Sequence, residues 1–143
     1  MYRYPIFFEG SVLAKAGSQS AWTSASSGRE VVCAIPEAFH GPGNGLSPED
    51  LFAQALMNCF TATFLVMAEK SSLRFEKLVV DGKLTVDRDE AGRPTMKQFH
   101  FTVSLHGCDG KARATTLVEK AMQSGFVLNS VRTALSHELV FSD

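Results

Sequence analysis

The first third of the chain alternates short apolar runs with turn residues. Phe7 and Phe8, Ser11 to Lys15, Ala21 to Thr23 and Glu30 to Ile35 read as extended pieces, broken by a Gly/Ser-rich turn and by Ser26-Ser27-Gly28. Turns this closely spaced predict a β-meander. Pro36 to Ser47 follows, with Gly41, Pro42, Gly43 and Gly45. Such a stretch is too glycine-rich for a helix or a central strand, and it predicts a loop whose backbone approaches a neighbour closely.

Ser47-Pro48-Glu49-Asp50 then carries a helix start. Ser47 suits the cap, Pro48 the first helical position, and Asp50 the acidic place of a capping box. From Leu51 to Ala68 no charge appears, and the helix is expected to run to about Lys70. Because it is apolar on nearly every side, it must be surrounded by protein, either a sheet or a second subunit. Its length reaches the lower limit for a membrane span. Gln54, Asn58, Thr61 and Thr63 interrupt it and no polybasic segment flanks it, which favours a buried core helix and no membrane.

Strand patterning returns over 77–88 and 95–106, joined by the turn-forming stretch Asp89 to Arg93. Phe99, Phe101, Val103 and Leu105 share one face, and His100, Thr102, Ser104 and His106 the other, so only one face is expected to be buried. Ala114, Leu117, Val118 and Ala121 are spaced for one side of a helix over 111–123. Gly125 is expected to interrupt it before helical spacing resumes over 128–135, and His137 to Phe141 could close the chain as a strand. The whole predicts one α+β domain, residues 1–143.

Composition changes this picture only by exclusion. With 45% hydrophobic and 20% charged residues the chain is neither disordered, collagenous nor a coiled-coil rod. A formal net charge of −1 makes no field that would gather nucleic acid. The N-terminus has no secretory or transit pattern, so a reducing cytoplasm is expected. Three cysteines, Cys33, Cys59 and Cys108, form no C-x-x-C or zinc spacing, and at least one thiol should be free. His40, His100, His106 and His137 make no H-x-x-x-H pair, so no metal is expected, and no cofactor motif is present.

Cys59 lies in the middle of the apolar helix. Most buried cysteines are small inert hydrophobes. A reactive one must be a thiolate, which needs a cation, a helix N-terminus or a hydrogen-bond donor nearby. At about 16 Å from the helix start, Cys59 is too far along for the helix dipole to help. Glu49 sits at that start, where a carboxylate is favoured for its own sake, about 15 Å from Cys59 along the axis. If the two cooperate, a long cation or a partner chain must bridge them.

Pro36 with the Gly-rich loop, Ser-Pro-Glu-Asp-Leu-Phe-Ala (47–53) and Asn-Cys-Phe (58–60) resemble the N-P-E-x-L-x-A…C pattern of the osmotically inducible protein C and organic hydroperoxide resistance (OsmC/Ohr) family. The 77–106 hairpin, the helix around Glu119-Lys120-Ala121, Val127 to Ser130 and the last strand follow in family order. The resemblance implies antiparallel sheets around long central helices in an intertwined homodimer, with active sites at the interface. It also implies a thiol peroxidase of the oxidative-stress response that reduces organic hydroperoxides. Carried over by position, Cys59 is the peroxidatic cysteine and Glu49 the carboxylate that orients an activating arginine.

Two positions depart from the pattern. The place of the resolving cysteine reads Ser124-Gly125-Phe126, with Gly125 where the thiol would be. The turn that should hold the arginine reads Gly17-Ser18-Gln19, so Arg29 or Lys15 substitutes only if the fold brings it across. The implied activity is therefore that of a one-cysteine peroxidase, reset by an external thiol reductant. The alternative is a non-catalytic protein that binds a small hydrophobic ligand in an interface cleft lined by Phe52, Phe60, Gly125 and Phe126. Cys108 as a distant resolving thiol ranks last, because a disulfide needs Cα atoms within ~7 Å.

Overall fold

A computed structural model describes residues 1–143. Six strands, two α-helices and two short 3-10 turns form in the order β1 (Gly10–Leu13), β2 (Trp22–Ser26), β3 (Arg29–Cys33), α1 (Pro48–Lys70), β4 (Lys77–Arg88), β5 (Pro94–His106), α2 (Lys111–Ser124) and β6 (Ala134–Ser142). The chain is α+β, as expected. It condenses into two compact units, residues 1–51 and 52–143.

The first unit holds the predicted meander, with sheet order β1-β2-β3 and every pair antiparallel. The glycine-rich loop folds back on β3 through Ala34 N–H to Leu46 O (3.0 Å) and Leu46 N–H to Val32 O (3.0 Å). Gly45 makes this approach possible: a Cβ there would stand 2.9 Å from the Cys33 Cα. The loop delivers the chain to α1 through a complete capping box. Asp50 N–H donates to Ser47 Oγ at 3.0 Å, and Ser47 N–H donates to Asp50 Oδ2 at 2.9 Å. Each bond satisfies a group that helix geometry would otherwise leave unpaired. Ser47→Ala is expected to cost about 1 kcal/mol of stability, read as a lower urea midpoint with unchanged slope.

The second unit packs α1 and α2 on the same face of the β4-β5-β6 sheet. Phe99, Phe101, Val103 and Leu105 are all buried, which matches their shared parity along β5. From α1 the buried residues are Leu56, Phe60, Phe64 and Ala68, an i, i+4 ridge; from α2 they are Ala114, Leu117, Val118 and Ala121. Gly82 on β4 lets the Phe99 ring lie directly over the strand, because a Cβ there would collide with that ring and stand 2.8 Å from Met57 Sδ. The opposite face of the sheet is polar. His100 bonds Ser136 Oγ (2.7 Å) and Glu138 Oε1 (3.3 Å), and Thr102 also donates to Glu138. These bonds, His100 first, hold the Glu138 carboxyl below its ordinary value.

Two expectations need correction. The sheets are not both antiparallel: β6 pairs β5 in parallel register, from Gln98↔Ala134 to His106↔Ser142. The reason is topological, since α2 serves as the crossover that a parallel pair requires. Helical spacing over 128–135 does not produce a helix. Only a 3-10 turn forms at Leu128–Ser130, and Ala134 and Leu135 are claimed by the ladder with β5. The chain itself covers α1 on one side only. Just 22% of its most apolar stretch is buried, and Leu51, Leu65 and Val66 are exposed. The sheet of this chain does not surround the helix; a second subunit is the other covering that its apolar pattern allows.

Candidate functional site

The polar residues of α1 are accommodated without leaving the helix. Asn58 Nδ2 donates to Gln54 O (2.7 Å), Thr61 Oγ1 to Met57 O (2.8 Å) and Thr63 Oγ1 to Cys59 O (2.9 Å). Such back-bonding satisfies side chains that would otherwise be unpaired on an apolar rod. It leaves Cys59 as a half-buried free thiol partway along α1.

Its sulfur rests on Gly125. A Cβ on Gly125 would stand 2.5 Å from Cys59 Sγ and 3.3 Å from the Leu128 side chain. The backbone there is extended (φ −71°, ψ 136°), a conformation open to any residue. Glycine is needed at this position for space, because the sulfur already occupies the side-chain direction. The segment beyond is tied down by Asn129 N–H to Gly125 O (2.9 Å) and Ser130 Oγ to Phe126 O (2.7 Å). Next to the sulfur contact this turn presents Phe126, 64% exposed, and Val127, 38% exposed.

The fold brings Cys59 and Gly125 together. Phe60 does not join them: it is fully buried, stacked on Phe64 (5.7 Å between ring centroids) and tilted against Phe101 (6.0 Å). Its ring is core and cannot line an accessible cleft, because i, i+4 spacing with Leu56 and Phe64 turns it onto the sheet. Phe52 is half-buried against the same core. Leu128, which touches the Gly125 position, was not singled out from the sequence; its signal was the apolar residue three places after the glycine.

Glu49 belongs to the first unit, in the opening turn of α1. Its Oε1 is buried and has no hydrogen-bond partner within the chain. Arg29 and Lys15 are exposed and form no ion pair. Gln19, in the turn where the family pattern places arginine, donates to His40 O at 3.2 Å.

The other cysteines have different surroundings. Cys33 is fully buried, with Ser24 Oγ at 3.5 Å. Cys108 lies just before α2, whereas Gly125 and the Cys59 sulfur lie just past its far end. The 14 residues of α2 span about 21 Å, so Cys108 cannot resolve Cys59. Burial, and secondarily the Asp109 charge, push the Cys108 thiol above its ordinary value, with Lys111 opposing. Maleimide labelling followed by peptide mass analysis is expected to find Cys108 slow at neutral pH and accelerating in alkaline buffer.

An α+β fold with a half-buried thiol on a long apolar helix, set against the glycine that ends the second helix, defines the class of protein. The chain belongs to the OsmC-like protein family, whose profile matches residues 41–140. Among solved structures it is similar to an OsmC-like protein of unknown function from Vibrio cholerae, at 17% identity and TM-score 0.86, covering 95% of this chain and 100% of that one. It is also similar to an organic hydroperoxide resistance protein OsmC, described as a predicted redox protein, from Legionella pneumophila (19% identity, TM-score 0.69, coverage 97% and 100%). A third is the organic hydroperoxide resistance protein OhrB of Bacillus subtilis (21% identity, TM-score 0.63, coverage 94% and 98%). No curated protein sequence matches the chain.

Proposed function

We propose that this protein is a one-cysteine thiol peroxidase that reduces organic hydroperoxides through Cys59. The observation that carries the reading is the contact of the Cys59 sulfur with Gly125, at the edge of an exposed apolar turn. The thiolate of Cys59 attacks the outer peroxide oxygen; the O–O bond breaks, and the alkoxide takes a proton and leaves as an alcohol. Cys59 is then a sulfenic acid. With glycine at position 125, an external thiol condenses with the sulfenate, releasing water, and a second thiol displaces the mixed disulfide and restores Cys59. Phe126 and Val127 favour substrates with an apolar body.

The working unit in this reading is a homodimer. The uncovered side of α1 and the buried, unpartnered oxygen of Glu49 support it, since an apolar helix face and an orphaned carboxylate both call for a partner. In this reading the second copy covers α1, and Glu49 orients whatever donor activates the thiol. A second reading keeps the same turn as the wall of a binding site for a small hydrophobic ligand, without turnover.

Trapping of sulfenate with dimedone after cumene hydroperoxide separates the two. One adduct on Cys59, absent from Cys59→Ser, is the expected result. No adduct, with unchanged hydroperoxide, would remove the peroxidase and leave the ligand-binding reading.

A further inference from the structure

A second site lies at the turn end of the β4–β5 hairpin. Asp89, Glu90, Arg93, Pro94, Thr95, Met96, Lys97 and Arg132 enclose a crevice of about 510 Å³, within the range of small-molecule sites. Its shape comes from an irregularity in the ladder. Thr85 pairs Gln98 and Val86 pairs Met96, so Lys97 is an extra residue left unpaired at a β-bulge. Bulges of this kind turn a side chain away from the regular alternation. Arg132 reaches the same crevice because the parallel register that pairs Ala134 with Gln98 runs the preceding residues toward Met96.

The hairpin tip is held independently of any ligand. Arg93 N–H donates to Asp89 Oδ1 (2.9 Å), Arg93 Nε pairs Asp89 Oδ2 (3.6 Å), and Arg88 Nη1 donates to Gly92 O (2.7 Å). Asp89 and Arg93 therefore answer one another. Three charged side chains of the lining remain without an ion pair: Lys97, Arg132 and Glu90. Two cations and one anion side by side, with Met96 and Pro94 also in the lining, suit a ligand that carries a carboxylate and an ammonium group together. Arg132 offers a planar fork for a carboxylate, Lys97 a point charge beside it, and Glu90 an acceptor for an ammonium group.

We propose that this crevice binds a small zwitterion, an amino acid or short peptide, with its carboxylate on Arg132 and Lys97 and its ammonium on Glu90. The site is separate from Cys59 and does not depend on the peroxidase reading. The test is calorimetric titration of the full-length protein with glycylglycine, and with sodium acetate, sodium phosphate and ethylamine as partial mimics. Glycylglycine is expected to bind, at least tenfold more weakly in Arg132→Gln and severalfold more weakly in Glu90→Gln, while Cys59→Ser binds like the parent. The Arg132 and Glu90 side chains are exposed, and circular dichroism of each variant checks that the fold persists. Absence of glycylglycine binding overturns the proposal. So does phosphate or acetate binding that exceeds glycylglycine and ignores Glu90→Gln, which would make this an anion site, or binding unchanged in both variants.

Discussion

Phe101→Ala is expected to lower stability by about 3–5 kcal/mol. The ring is fully buried between the sheet and α1, 6.0 Å from the Phe60 ring and in edge contact with Phe99 at 4.7 Å. Truncation removes the transfer free energy of the ring and leaves a cavity that the rigid α1–sheet packing cannot close. It also forfeits two aromatic pairs, each worth roughly 0.5–1.5 kcal/mol. Against a typical total of about 5–15 kcal/mol, this is a large share. Urea titration should show a lower midpoint with a similar slope. Val86→Ala, at an exposed position on β4, is the comparison and should stay within about 0.5 kcal/mol. A shift for Phe101→Ala no larger than that of Val86→Ala would mean that the aromatic cluster is not the core.

Gly125→Cys should turn the proposed one-cysteine site into a disulfide-forming pair. The backbone at 125 tolerates a side chain, and its Cβ would point at the Cys59 sulfur from 2.5 Å. That is too close for an unreacted contact, so Cys59 must rotate about its single side-chain torsion. The rotation relieves the clash and leaves the two sulfurs within reach of a bond, whose length is about 2.0 Å. The parent has three free cysteines. The variant, with a fourth, should lose two titratable thiols on mild oxidation, and one crosslinked peptide should join positions 59 and 125. Cys33, buried in the first unit, and Cys108, at the other end of α2, should stay reduced. Gly125→Ala supplies the control: it displaces the sulfur without offering a partner and should slow sulfenate formation. Four thiols surviving oxidation of Gly125→Cys would show that positions 59 and 125 do not meet.

Local signals carried most of the secondary structure. Ser47, Pro48 and Asp50 marked the start of α1 because capping depends on neighbours three residues apart. The alternation from Phe99 to Leu105 identified the buried face of β5 for the same reason: period two is a property of the strand itself. The segment 128–135 misled because its apolar spacing suits a helix, while pairing with β5, some 36 residues away in the register Gln98↔Ala134, outweighs that preference. From the sequence, Phe60 reads as one of the residues lining an interface cleft. Only the packing of α1 on the sheet shows that its direction is inward.

By itself the sequence determined the α+β order of elements, the glycine loop, the helix cap and Cys59 as the thiol of interest, all of which rest on spacing or composition within a few turns of chain. Tertiary structure alone decided that residue 125 stands on the Cys59 sulfur, that β6 lies parallel to β5, and that α1 keeps an uncovered apolar side. Each of these depends on contacts between residues far apart in sequence, which no local pattern encodes.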